Sequence, residues 1–190
     1  MILKAAQSLL GIEQDGQWGP QSYRSIAAGL RRDAATRSAL LDLQLSPNFT
    51  LRELIFSSND MRDWSTRNLP NASQIKALVA LCVNILEPVH RQFGPVRMTS
   101  GFRIWTPNSQ HGAGEAGDFE VTGVPNLTVC RWIAANLKFD QLIREGYAAK
   151  GSRAGTNDGW IHCSFRIDHA RKSILRTPNG RAPYMSGLGK

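Results

Sequence analysis

The ten residues Ser109-Gln110-His111-Gly112-Ala113-Gly114-Glu115-Ala116-Gly117-Asp118 constrain the fold more than any other part of the chain. Gly112, Gly114, Ala116 and Gly117 are too small and flexible to hold a helix, so this stretch predicts a loop that carries His111 and leads into a strand, Asp118-Phe119-Glu120-Val121. Side chains alternate along a strand, which puts Asp118 and Glu120 on one face and Phe119 and Val121 on the other. A second alternating run, Gly159-Trp160-Ile161-His162-Cys163-Ser164-Phe165, places Trp160, His162 and Ser164 on one face and aims Ile161, Cys163 and Phe165 at a core. Two imidazoles and one carboxylate are thereby available to a single ion.

Those residue types suit a particular chemistry. Neutral histidine nitrogens from His111 and His162, with the hard carboxylate of Asp118, match a borderline cation such as Zn2+, and three protein ligands leave one coordination position open, as in catalytic rather than structural zinc sites. A metal so held polarises carbonyls and lowers the pKa of water to about 7. Taken singly, each histidine is more often a hydrogen-bonded structural residue than a ligand. The argument rests on the three together.

The pattern resembles the zinc-binding signature of the D-Ala-D-Ala carboxypeptidase and peptidoglycan endopeptidase family, Ser-x-His-x-x-Gly-x-Ala-x-Asp, with a second histidine in a Trp-x-His strand. Ser109, His111, Gly114, Ala116 and Asp118 occupy its fixed positions, and Trp160 and His162 supply the strand. Phe49-Thr50-Leu51-Arg52-Glu53-Leu54, Ile85-Leu86-Glu87-Pro88-Val89, Thr99-Ser100-Gly101-Phe102-Arg103, Phe139-Asp140-Gln141-Leu142-Ile143 and Tyr184-Met185-Ser186-Gly187-Leu188 are similar, in the same order, to the phage endolysin branch of that family. The resemblance covers roughly residues 48 to 190. It implies His111, Asp118 and His162 as zinc ligands, Arg103 facing the metal to hold a substrate carbonyl or carboxylate, and Ser109 and Trp160 as peptide contacts. Outside that resemblance Arg103 reads as a solvent-facing charge at a strand end and Ser109 as a turn hydroxyl.

The same family places an acidic residue three positions before the second histidine, where it takes a proton from water. Here that position is Gly159. Two carboxylates are candidates for the general base. Asp158 shares strand parity with His162, although Gly159 interrupts a straight strand. Glu145 would lie opposite His162 if residues 139 to 145 and 159 to 165 pair as antiparallel strands, and it is the preferred candidate.

Composition bounds the remaining possibilities. A chain of 190 residues, 42% hydrophobic and 20% charged, has the balance of a globular protein with one full core and a small appendage. With no long apolar run, neither a membrane span nor a secretory signal is expected, so the chain is read as made in the cytoplasm and acting at the cell envelope. A monomer is expected. The net charge of +8 favours polyanionic partners such as the bacterial envelope; no motif for specific nucleic-acid recognition accompanies it. The basic excess from His169 to Arg176 reads as a solvated surface. Cys82, Cys130 and Cys163 show no paired spacing and read as reduced core thiols, with Cys163 pointing away from the metal.

The predicted fold class is α+β: a small, mostly antiparallel sheet with flanking helices, plus a helical N-terminal unit. Residues 1–45 form that unit, with helices near Ala5–Ile12 and Gln21–Leu30 around the turn Asp15-Gly16-Gln17-Trp18-Gly19-Pro20, in an order similar to a peptidoglycan-binding repeat. Residues 33 to 48 supply a third helix and a linker, and residues 48–190 form the catalytic domain. Helices are predicted from Ser73 to Phe93, kinked or ended by Pro88 and capped by Asn71 or Ser73, and from Pro125 to Leu137. Strands are predicted at 96–99, 118–121, 139–143 and 160–165. The chain is thus expected to be a zinc peptidase cutting stem peptides of bacterial peptidoglycan, as a phage endolysin does. The alternatives are a non-catalytic wall-binding or virion protein that keeps the peptidase fold, and an iron oxygenase. The latter requires a carboxylate two residues after His111, where Ala113 stands.

Overall fold

The computed structural model describes residues 1–56, 64–147 and 159–189. The chain begins with helices α1 (Leu3–Leu9), α2 (Pro20–Arg32) and α3 (Ala34–Leu41), then a short ribbon of β1 (Gln44–Ser46) and β2 (Phe49–Thr50). Helices α4 (Leu51–Leu54), α5 (Trp64–Arg67) and α6 (Ala72–Leu81) follow; α6 runs through a π-helical turn at Cys82–Leu86 into α7 (Glu87–Phe93). Strands β3 (Val96–Ser100) and β4 (Ala116–Val121), helix α8 (Asn126–Asn136), and strands β5 (Gln141–Glu145), β6 (Trp160–Ser164), β7 (Ser173–Thr177) and β8 (Met185–Ser186) complete the fold.

The architecture is α+β. Six strands form one sheet in the order β3-β4-β6-β5-β7-β8, antiparallel throughout except for the parallel pair β5 and β7. Alternation has the predicted result: Phe119, Val121, Ile161 and Cys163 are fully buried, and Leu142 joins them. Helix α8 packs on β4, β5 and β6, and α6 packs on β4, so the helices cover this apolar face. Each large aliphatic or aromatic side chain buried there contributes about 1.5–3 kcal/mol of transfer free energy. The opposite face carries Asp118 and His162.

Asn71 caps α6 in a reciprocal box: Gln74 N donates to Asn71 Oδ1 at 3.0 Å and Asn71 N donates to Gln74 Oε1 at 2.8 Å. Pro88 does not end the helix that follows. A proline removes one N–H donor and crowds the carbonyl of the preceding turn, and the widened π turn just before it absorbs that misfit so that the helix continues to Phe93. By length and apolar content the continuous helix Ala72–Phe93 could cross a membrane. Here its stripe of Ile75, Leu78, Leu81, Cys82, Ile85, Leu86 and Val89 is fully buried in the protein core.

The N-terminal helices share that core. Leu3, Ala6, Ile26, Leu30 and Leu40 belong to the same cluster of buried side chains as Leu54, Leu78 and Phe119. Arg31 fixes the junction by donating to the carbonyls of Leu69 at 2.6 Å and Pro70 at 3.0 Å. Within this region the buried amide of Gln7 closes the turn after α1, donating to Asp15 Oδ1 at 2.6 Å and accepting from Gly16 N at 2.9 Å. The stretch after α3, predicted as linker, is instead the β1–β2 ribbon, whose turn is held by the Glu87 carboxylate through Ser46 Oγ at 2.7 Å and Asn48 N at 2.8 Å. The basic segment predicted to be a solvated surface is exposed from His169 to Lys172, and from Ser173 it joins the sheet: β7 pairs in parallel with β5 from Gln141 opposite Ser173 to Glu145 opposite Thr177.

Candidate metal centre

Three side chains converge on the uncovered face of the sheet. Asp118 on β4 lies directly opposite His162 on β6 across an antiparallel register. His111 reaches them from the loop between β3 and β4. Gly112 allows that loop to fold so tightly, since a Cβ there would sit 2.0 Å from the Thr106 carbonyl oxygen. Gln74 at the start of α6 ties the loop down by donating to Gly112 O at 2.8 Å. The hydroxyl of Ser109 braces it from within, donating to Thr106 O at 2.8 Å and accepting from Gly112 N at 3.1 Å.

His111 Nε2 is 3.1 Å from His162 Nδ1 and 3.2 Å from Asp118 Oδ1, and His162 Nδ1 is 3.0 Å from Asp118 Oδ1. All three residues are buried. Three ligand-type atoms packed at such distances form a group that could hold a metal ion. Tetrahedral zinc with bonds near 2.05 Å separates its ligands by about 3.3 Å, close to these spacings. Protonation supports the same reading. His111 Nδ1 lies 2.7 Å from the Gly101 carbonyl, to which it can only donate, so Nε2 is the nitrogen that this ring offers to a metal. Burial opposes ionisation of Asp118, yet the adjoining His111 and His162 hold its carboxyl well below the usual carboxylate range.

Arg103 also faces this site. Its Nε donates to Ser100 Oγ at 2.8 Å and its terminal nitrogen donates to Asp118 Oδ2, the oxygen turned away from the histidines. The guanidinium thus braces the Asp118 carboxylate and lines the cleft beside it. That cleft encloses about 600 Å³ and is also lined by Ser109, Glu145, Trp160 and Tyr184.

Glu145 reaches the site by a different register from the one the sequence suggests. Ile143, not Glu145, pairs with His162, and Glu145 pairs with Trp160. Residues two apart on a strand share a face, so Glu145 stands diagonally beside His162 in the same cleft. Burial pushes its carboxyl up to about 7; the Asp118 charge adds to the rise, while His162, Trp160 and Arg103 oppose it. The Trp160 indole lies near enough to act on Glu145, although its buried N–H makes no hydrogen bond of ordinary geometry among the described residues. Position 159 cannot carry the acid: Gly159 has φ +75° and a Cβ there would meet the Glu145 carbonyl oxygen at 1.8 Å. Asp158, the other candidate base, lies outside the described residues.

The three cysteines are free and buried, and burial raises all three thiols, that of Cys130 to about 12. Cys163 is in the core on the far side of the sheet from the site. Sequence reasoning overlooked Gln110, Asp140 and Arg171. Gln110 Nε2 donates to Asp140 Oδ2 at 2.6 Å, and Arg171 clasps the same carboxylate through its terminal nitrogen at 2.6 Å. Position within the motif hints at Gln110, but no local spacing links Asp140 to an arginine on another strand connection.

Comparison of the chain with models of known protein families and with curated proteins finds no match. What the structure defines is a buried His–Asp–His group, open to a cleft, that could hold a metal ion.

Proposed function

We propose that the chain is a zinc-dependent peptidase acting on the stem peptides of bacterial peptidoglycan, of the phage endolysin type. The observation that carries the chemistry is the convergence of His111 Nε2, His162 Nδ1 and Asp118 Oδ1 within 3.2 Å of one another beside a cleft lined by Glu145. The signature shared with peptidoglycan peptidases at Ser109, His111, Gly114, Ala116, Asp118 and His162 supports the substrate class.

His111, Asp118 and His162 would hold the ion, and bound zinc supplies the Lewis acidity that polarises an amide carbonyl and acidifies water. Glu145 takes a proton at its carboxylate and delivers it to the departing amine. A pKa near 7 suits both halves of that task, because the group is neither a spent base nor a permanent acid at neutral pH. Arg103 presents its guanidinium to the cleft, where it stabilises negative charge developing on the carbonyl oxygen while holding Asp118 in place. Trp160 and Ser109 line the floor that a peptide would cross. Residues 1–45 serve as the wall-binding unit, with the net charge of +8 adding attraction to an anionic envelope.

The test is digestion of purified sacculi. Soluble peptides with newly exposed amino groups are expected from the wild type, and none after chelation or with His111→Ala. Mass spectrometry of the fragments identifies the bond cut. Wild-type protein that sediments with sacculi but releases no peptide would replace this reading with that of a non-catalytic wall-binding protein.

A further inference from the structure

Asp140 is fully buried and takes no part in the chemistry above. Its carboxylate accepts from Arg171 N at 3.1 Å, from Arg171 Nε at 2.9 Å, from the terminal Arg171 nitrogen at 2.6 Å and from Gln110 Nε2 at 2.6 Å. An ionised carboxylate only accepts, so the end of the Gln110 amide that faces it is the NH2. The other end, Oε1, then turns toward the metal centre and meets His162 Nε2 at 3.5 Å. An amide oxygen also only accepts, which places a ring proton of His162 on Nε2; Nδ1 faces Asp118 Oδ1 and His111 Nε2, where a bound metal would take the place of a shared proton.

We propose that Gln110 and Asp140 are positioning residues for His162: Asp140, held by Arg171, orients the Gln110 amide so that its Oε1 fixes His162 with Nε2 protonated and Nδ1 free for a metal. The two histidines are then prepared by unequal devices. His111 is set by one backbone carbonyl, that of Gly101 at 2.7 Å, whereas His162 depends on a chain of three side chains from three separate parts of the sequence. The C-terminal segment carrying Arg171 thereby reaches the metal centre without touching it. This inference rests on the metal-binding reading of the site and needs no assumption about the substrate.

The experiment measures Zn2+ affinity of the full-length chain by competition with a chromophoric chelator. Gln110→Leu keeps most of the volume and removes the acceptor. It is expected to weaken Zn2+ binding about 10- to 100-fold, the range for loss of a hydrogen bond behind a metal ligand, while the metal-free protein stays folded with a modest fall in melting temperature. Gln110→Glu combined with Asp140→Asn exchanges donor and acceptor but keeps an oxygen facing His162, and is expected to recover most of that loss. A merely structural role for Gln110 would show no such recovery. Should the variants fail to fold, nitrogen-15 histidine spectra of the zinc-loaded wild type carry the test, with His162 expected to bind through Nδ1 and bear its proton on Nε2. Binding through Nε2 would overturn the inference, as would Zn2+ affinity in Gln110→Leu within about twofold of wild type, well short of the expected loss. A wild type that binds no zinc would remove the proposed function along with it, which distinguishes the two failures.

Discussion

Asp118 on β4 and Asp140 just before β5 are two buried aspartates, each touching an arginine, and they differ in what else surrounds them. Around Asp140 the hydrogen-bond partners are all donors: the Arg171 backbone and guanidinium and the Gln110 amide satisfy the carboxylate, with the His169 ring 3.6 Å away, and the Arg171 bonds hold its pKa down. Around Asp118 one oxygen is satisfied by Arg103, while the other faces the ring nitrogens of His111 and His162. The first arrangement is closed and has no need of a ligand. The second gathers three ligand-type side chains at one point, where a cation could take the place of the protons they share. Burial and charge do not separate a structural carboxylate from a functional one here; the protonation character of the neighbours does.

Breaking the open cluster should have the largest effect. Asp118→Ala or His162→Ala is expected to lower zinc affinity and sacculus hydrolysis by more than the ~100-fold that follows loss of a supporting hydrogen bond, as read by metal analysis and peptide release. Retained activity in either variant would place the chemistry elsewhere.

Glu145→Gln comes next. Turnover is expected to fall by about 100-fold or more with zinc content unchanged, the scale of a general acid–base contribution. The pH profile sharpens the assignment: a base whose pKa lies near 7 gives the wild type a rising limb through that pH, and the limb should vanish in Glu145→Gln. Near-normal activity in this variant, with loss in Asp158→Asn, would move the role to Asp158.

Closing the comparison from the other side, Asp140→Ala is expected to cost stability of about 1–3 kcal/mol in chemical denaturation, because it leaves Gln110 and Arg171 without their acceptor. The cost stays in that range since the Arg171 side chain is 47% exposed and can rehydrate. If Asp118→Ala in the metal-free protein cost far more than Asp140→Ala, the contrast between an open and a closed site would be lost.

The last effect depends on pH and has a defined sign. The folded-state pKa of Glu145 lies above its ordinary value of 4.5, so its contribution to stability is present below that pH and is lost as pH rises through about 7. Metal-free Glu145→Gln should therefore match the wild type near pH 4.5 and exceed it by about 3 kcal/mol at pH 8.

Much of this site was legible in the sequence because its logic is local. The alternation of 118–121 and 160–164 assigned faces to Asp118 and His162, and the glycines around His111 marked a loop. The cap at Asn71 and the helix that follows were equally readable from polar and apolar spacing. What escaped is what depends on register between distant segments. Nothing local states that β5 meets β6 with Ile143 rather than Glu145 opposite His162, or that Arg171 travels to Asp140. Strand β7 was hidden for a related reason: Ser173-Ile174-Leu175-Arg176-Thr177 lies between β5 and β8 with side chains mostly half-buried, and so lacks a clean alternation. At Pro88 the local rule was sound, but it omitted the π turn through which a helix can tolerate proline.

The central claim is that His111, Asp118 and His162 are a zinc site, and direct metal analysis tests it. Wild-type protein expressed with zinc and freed of loosely held metal by gel filtration should carry about one zinc per chain, and Asp118→Ala should carry little. Folded wild-type protein without stoichiometric zinc, or with zinc that persists undiminished in Asp118→Ala, would contradict it.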